Sequence, residues 1–415
     1  MPVIIPICIL LLLAYVFDLS SKFTKIPSVI LLIAMGFIVK QITLLFHVKI
    51  PDLNGVLPVL GTIGLILIVL EGSLELEVSK DKNGMILKSL FLALFPMLLL
   101  TALIAWIFSL LTDANAFDSI LNAIPLGVIS SAIAIPSVKN LGKENKDFIV
   151  YESSLSDILG VLFFNFFALN NKINLSAFTG FGSQILLMFF LAFIATLALS
   201  ILLNNIKHRV KFAPIILLVL LIYEVSHIFH LPALIFVLIF GLFLGNIDQL
   251  ERFNWIQKLR PQALKQEVHK FTDLVMEAAF IVRASFFILF GYMLQLNEIL
   301  NPSTILLALM ILFSIIFFRI LFLLLFKLPV LPLMFIAPRG LITILLFLNI
   351  PALHYLPIIN KSLVIQVVLL TALWMMIGLM VSNPIKKHLE IDVKPPVPPK
   401  PIQPTDPGSK PDSIA

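Results

Sequence analysis

Long apolar runs recur along nearly the whole chain, and this feature restricts the fold more than any other. A helix crossing the hydrocarbon core of a bilayer needs about 17–25 predominantly apolar residues. About thirteen such runs occur, near residues 2–17, 26–46, 54–74, 85–111, 117–138, 148–170, 181–206, 212–228, 231–246, 273–296, 302–327, 329–350 and 360–383. Composition agrees, since 60% of the 415 residues are hydrophobic and 13% are charged. A soluble domain has roughly 45–50% apolar and about 25% charged residues. One globule cannot hide so much apolar surface, so lipid is the solvent. A soluble enzyme, a disulfide-stapled secreted domain and a disordered chain are excluded. The expected fold is an all-α polytopic membrane protein of about thirteen transmembrane helices. The first run lacks a basic n-region and a small-residue cleavage site, so it reads as a span rather than a cleaved signal.

Basic residues set the direction of the spans. With the N-terminus outside, 22 of the 29 Lys and Arg fall in inner loops or the tail. Four (Lys40, Lys49, Lys172 and Lys361) fall outside, and Arg283, Arg319 and Arg339 fall within spans. The positive-inside rule then favours an outside N-terminus and a cytoplasmic C-terminus, in a membrane expected to be a bacterial inner (cell) membrane. The net charge of +6 serves this orientation and points to no nucleic acid. Residues 1–385 read as one transmembrane domain, with halves at about 2–206 (including a linking seventh span) and 212–383. Residues 247–272 are a charged cytoplasmic linker between them, either a helix on the inner surface or a connecting loop. Residues 386–415 are a Pro-rich tail expected to be disordered, with a PxxP-type ligand role as a lesser alternative.

An ionisable side chain deep in a span costs about 2.5–3.5 kcal/mol on insertion scales, so each one is a functional candidate. Here they are Glu71, Glu152, Asp157, Glu277, Arg283, Arg319 and Arg339. Glu224 and Asp273 sit near span ends and read as hydrated. Arg319 reads as snorkelling toward the inner surface near Lys327. His227 and His230 are spaced like a weak metal pair, but their surface placement argues against one. The densest polar cluster is Glu152-Ser153-Ser154-Leu155-Ser156-Asp157. Four-residue spacing puts Ser153 with Asp157, and Glu152 with Ser156, on shared helix faces. Carboxylate and hydroxyl oxygens of this kind suit a hard monovalent cation.

The preceding span is interrupted by Pro125, Gly127 and Pro136, with Ser130 and Ser131 between the interruptions. The twelfth is interrupted at Ala337-Pro338-Arg339-Gly340. Unwound backbone at membrane depth is tolerated only where it lines a cavity or is buried in protein. Seven crossings separate the two spans, so they run in opposite directions. The same shift carries the third span, with Glu71, onto the tenth, with Arg283. Broken helices at corresponding places in two halves point to an inverted-repeat transporter, although no residue-level repeat accompanies the pattern.

These residues resemble the monovalent cation:proton antiporter superfamily, in its sodium/proton antiporter (sodium/hydrogen exchanger) branch, over about residues 1–385. Ile26-Pro27-Ser28, Leu70-Glu71-Gly72, Phe286-Phe287-Ile288-Leu289-Phe290-Gly291 and Pro338-Arg339-Gly340 carry the resemblance. The most specific match is Glu152-Ser153-x-x-Ser156-Asp157. The resemblance implies that Asp157 carries the cation and the proton, that Ser153 helps bind the ion, and that Glu71 lies near it. It implies a Glu152–Arg339 pair joining the sixth and twelfth spans; the rival reading makes Arg339 a positive charge beside the ion site. It also implies two broken, crossing helices, and a homodimer in which a core of the third to sixth and tenth to thirteenth spans slides past a dimerisation subdomain. Two departures stand out: Ser156 replaces an Asn or Asp, and Ser130-Ser131-Ala132 replaces Thr-Asp-Pro.

The expected cation and proton site is therefore Asp157, Ser153, Ser156, Glu71, Ser130 and Ser131. Arg283 stays open between Glu71, Glu277 and backbone carbonyls as partners. A buried carboxylate that holds either a proton or a cation, in a protein that reorients only when occupied, exchanges the two. With Ser at position 156 the motif offers one acid, so exchange is expected to be electroneutral unless Glu71 is a second carrier. The expected function is secondary transport of Na+, K+ or Li+ against protons, with no cofactor and no enzymatic activity. A sodium-coupled organic anion transporter and a non-transporting sensor of the same architecture are the alternatives. An intramembrane protease lacks its second aspartate or its deep histidine.

Overall fold

A bilayer core offers no water to the backbone, so a chain this apolar bonds its own amides within helices. The structure, a computed structural model, describes residues 4–24, 26–47, 55–76, 82–138, 141–170, 174–205, 212–229, 231–246 and 261–381. No strand occurs among them. In chain order the helices are α1 (Ile4–Thr24), α2 (Ser28–Leu45), α3 (Val56–Glu75), α4 (Asn83–Thr112), α5 (Ala116–Gly127), α6 (Ser131–Ser137), α7 (Lys143–Leu169) and α8 (Leu175–Asn205). The second half has α9 (Phe212–Ile228), α10 (Ala233–Gly245), α11 (Pro261–Met293), the short α12 (Leu296–Ile299), α13 (Pro302–Leu325), α14 (Val330–Leu333), α15 (Leu341–Leu348) and α16 (Lys361–Val381).

Nine stretches among the described residues are long and apolar enough to cross a membrane, with α5 and α6 forming one of them. The shorter apolar helices α1, α9 and α10, and the interrupted α14–α15, complete the thirteen expected spans. Large apolar side chains such as Trp106, Phe190 and Leu306 are exposed, as a bundle solvated by hydrocarbon requires.

The helix of the tenth span starts earlier than expected: it begins at Pro261, so residues 261–272 are helical and continuous with the span. Val268, Phe271 and Val275 recur at helical spacing and are buried, while Lys270 and Glu267 pair across one turn. That amphipathic pattern carries the helix beyond the lipid. The remainder of the expected linker (247–260) and the Pro-rich tail (386–415) lie outside the described residues, as do His230 and the side chain of His227.

Both interruptions are real, and each has a local cause. A proline lacks the N–H that helix continuation needs. Pro125 sits in the last turn of α5, Val128 and Ser130 are extended, and the chain turns helical again only at Ser131. In the twelfth span residues 334–340, including Pro338, lie outside both α14 and α15. The packing of α2 on α11 and of α10 on α3 are counterparts under the seven-span shift, as the inverted repeat requires.

A polar clamp fixes the far end of the fifth span. Asn115 caps α5 by accepting from the Asp118 N–H at 2.8 Å. Asp118 Oδ1 lies 2.6 Å from His354 Nδ1. Asn122 donates to the His354 carbonyl at 2.6 Å and accepts from the Leu356 N–H. The segment after α15 is thereby tied to α5, and the two broken spans are held in register.

Candidate functional site

The two breaks meet. The Ser130 N–H donates to the Pro338 carbonyl at 2.9 Å. Contact this close needs a residue without a side chain, since a Cβ on Gly340 would lie 2.5 Å from Ile133 Cδ1 and 2.8 Å from Ser130 Oγ. Helix α7 presses on the first break at Gly160, where a Cβ would fall 2.2 Å from Val128 Cγ2. The same face of α7 presents Ser156 and Asp157 to the break.

Asp157 is buried, with 3% of its surface exposed. Its Oδ2 accepts from the Ser131 N–H at 3.2 Å and from the Ser131 hydroxyl. Its Oδ1 is buried with no protein hydrogen-bond partner among the described residues. An uncompensated carboxylate in such surroundings is costly, so a proton or a cation must complete it. Ser156 Oγ accepts from the Ile129 N–H at 2.9 Å, which satisfies a backbone donor that the break exposes. Ser153 bonds back to its own helix at the Ile149 carbonyl, 2.7 Å, one turn from Asp157. Among the described residues Ser130 Oγ and Ser154 Oγ are buried without a hydrogen-bond partner, and Ser154 faces Gly72 next to Glu71.

A cavity of about 840 Å3 runs between α1, α3, α6 and α11 and reaches Ser131. Its walls carry Asp18, Glu71, Glu75 and Glu277, with Arg283 as the basic residue among them. Arg283 Nη1 lies 3.7 Å from Glu71 Oε2, which chooses Glu71 from the partners the sequence left open. A second cavity of about 250 Å3, near Leu57, Phe290 and Lys361, has none of the expected ion-site residues in its walls. The acidic cavity thus extends to Ser131, the residue that holds Asp157.

The expected Glu152–Arg339 pair is not formed. Glu152 is gripped by Arg319 instead, through Nη1 to Oε1 and through Nη2 to Oε2 at 2.8 Å. Both residues are buried, and Arg319 Nε also donates to the Leu333 carbonyl at 3.0 Å. Arg319 therefore does not snorkel; it joins α13 to α7 and to the start of the twelfth span. Arg339 takes a different task. Its Nε donates to the Leu126 carbonyl at 2.7 Å, Nη2 to Gly127 at 3.3 Å and Nη1 to Ala337 at 2.9 Å. The last carbonyls of a helix have no partner within it, and a cation there is favourable. Arg339 satisfies those of α5 where the span is cut.

Arg319 is the candidate whose role the sequence misassigned, as a snorkelling cation, and no local pattern separates it from Arg339 as the partner of Glu152.

Two broken spans that meet beside a buried carboxylate, next to an acidic cavity, are the architecture of a membrane transporter for cations. The chain belongs to the sodium/hydrogen exchanger family, since the family described as sodium/hydrogen exchanger, transmembrane, matches residues 8–387. Among solved structures it is similar to the sodium proton antiporter MjNhaP1 from Methanocaldococcus jannaschii at pH 8, with a TM-score of 0.67 and 18% identity, over 92% of this chain and 99% of that one. An electron-microscopy structure of the same antiporter matches with a TM-score of 0.61 and 18% identity, over 92% and 96% of the two chains. At that identity the likeness speaks for the fold. No curated protein sequence matches the chain significantly.

Proposed function

We propose that the protein exchanges Na+ and/or K+ for protons by alternating access, electroneutrally, with Asp157 as the shared carrier. The observation that carries this reading is the state of Asp157. One of its oxygens is held by Ser131 and the other has no hydrogen-bond partner among the described residues, and Ser131 itself stands in the wall of an acid-lined cavity. Ser153, Ser130 and Glu71 are the further ligands in this proposal, and Ser156 supports the break behind them. The charge bias of the loops makes the cavity end cytoplasmic, so the conformation is open to the inside. A homodimer in a bacterial inner membrane, with a mobile core, completes the proposal.

The test is proton flux in proteoliposomes, scanning Na+, K+ and Li+. At least one cation is expected to drive proton movement. Silence with all three would favour the anion-transporter or sensor reading, although four carboxylates facing one arginine in the cavity are a poor lining for an anion. An imposed membrane potential is expected to leave the rate unchanged, because one proton against one monovalent cation moves no net charge. A rate that follows the potential would bring in Glu71 as a second carrier. Ser131→Ala removes the side-chain donor to Asp157 and keeps the backbone one. It is expected to raise the half-saturating cation concentration severalfold with folding intact, and an unchanged value would remove that hydroxyl from the site.

A further inference from the structure

We propose that Arg283 is a built-in competitor of the transported cation, and that it sets the affinity and charge selectivity of the inner cavity. The inference rests on the exchange reading above. Four carboxylates line the cavity, on α1, α3 and α11, and Arg283 is the basic side chain in its walls. Its guanidinium sits 3.7 Å from Glu71, too far for a hydrogen bond, and both side chains are mostly but not fully buried, at 15% and 18% exposure. This differs from the other two intramembrane arginines. Arg319 is locked bidentately on Glu152, and Arg339 is fixed on three backbone carbonyls. A guanidinium held by one contact beside a partly exposed carboxylate can be displaced, whereas a bidentate buried pair cannot be without a large loss.

Position gives the pair its consequence. Glu71 is followed by Gly72, which packs against Ser154 of α7, and Ser131, the donor to Asp157, is in the same cavity wall. A cation moving through the cavity toward Ser131 and Asp157 therefore meets the Arg283–Glu71 pair in the same walls. Arg283 neutralises part of the acidic field there. It lowers the affinity for a monovalent cation enough for release, and it opposes doubly charged cations, on which the field of an acidic lining acts twice as strongly. Arg283 acts on the ion through Glu71 and the field of the cavity, so it is a positioning residue.

The deciding experiment measures cation-driven proton flux in proteoliposomes for the wild type, Arg283→Gln, Arg283→Lys, Glu71→Gln and the Glu71→Gln/Arg283→Gln double variant. Half-saturating Na+ or K+ and the maximal rate are recorded separately, with and without Mg2+ on the cavity side. Arg283→Gln is expected to lower the half-saturating concentration about three- to tenfold, the effect of one charge removed from a partly hydrated cavity. It is also expected to make Mg2+ inhibitory. Arg283→Lys keeps the charge and should restore wild-type values. In the Glu71→Gln background, removing Arg283 should change the half-saturation far less. An unchanged or raised half-saturation in Arg283→Gln, at wild-type flux, would overturn the proposal and leave the exchange reading intact. So would equal effects of Gln and Lys, which would mark a packing role. Absence of flux in the wild type would overturn both.

Discussion

Asp157→Asn is expected to abolish cation-driven proton flux, reducing it to the level of empty liposomes, while the protein keeps its wild-type melting temperature. Asn nearly matches Asp in shape and still offers an oxygen to the two Ser131 donors, so the break between α5 and α6 stays supported. What disappears is the ability to bind a proton and to carry a negative charge. Without the charge no cation is attracted to the unpartnered oxygen; without titration no proton is exchanged for it. Flux that persists in this variant, with sodium or potassium as the driving ion, would remove Asp157 from the carrier role.

The second large effect concerns stability. Arg319→Ala or Glu152→Gln leaves one buried charge without its partner, and breaking such a pair costs about 3–5 kcal/mol. Each variant is expected to show a sharp fall in melting temperature and in yield from the membrane. The double replacement Glu152→Met/Arg319→Leu should recover much of the loss, because a well-packed apolar pair of similar volume is often as stable as a buried ion pair. Arg339→Ala should leave the α7–α13 contact intact, since its guanidinium bonds carbonyls at the end of α5. Unchanged melting temperatures in both single Glu152 and Arg319 variants, measured in detergent and confirmed in lipid, would contradict the assignment of this pair.

Much of the architecture was legible because a bilayer imposes simple rules. Apolar length marked the spans, and Pro125, Gly127 and Pro338 marked the two breaks by chemistry that acts locally, whereas Pro136 lies inside α6. Asp157 was visible because charge is so scarce in the spans that each instance signals a use. The pairing of Glu152 was not legible, because two arginines were available and the choice depends on depth and helix contacts that no local pattern encodes. The same holds for Arg283, whose partner Glu71 lies on a span far away in sequence. Ser156 shows a further limit. Its spacing suggested an ion ligand, while the second demand on it, the Ile129 N–H that the broken span exposes and that uses one of the two lone pairs of the hydroxyl, is not encoded by spacing. The early start of α11 was hidden by its charges, which read as a surface linker until Val268 and Phe271 are seen buried on one face.

The central claim is that a proton and an alkali cation compete for one carboxylate. It is tested most directly by adding sodium or potassium chloride to the purified protein in weakly buffered detergent solution and following the pH. The wild type is expected to release protons saturably as the cation binds, and Asp157→Asn is expected to release none. No release from the wild type with either cation, or equal release from the Asp157→Asn variant, would contradict it.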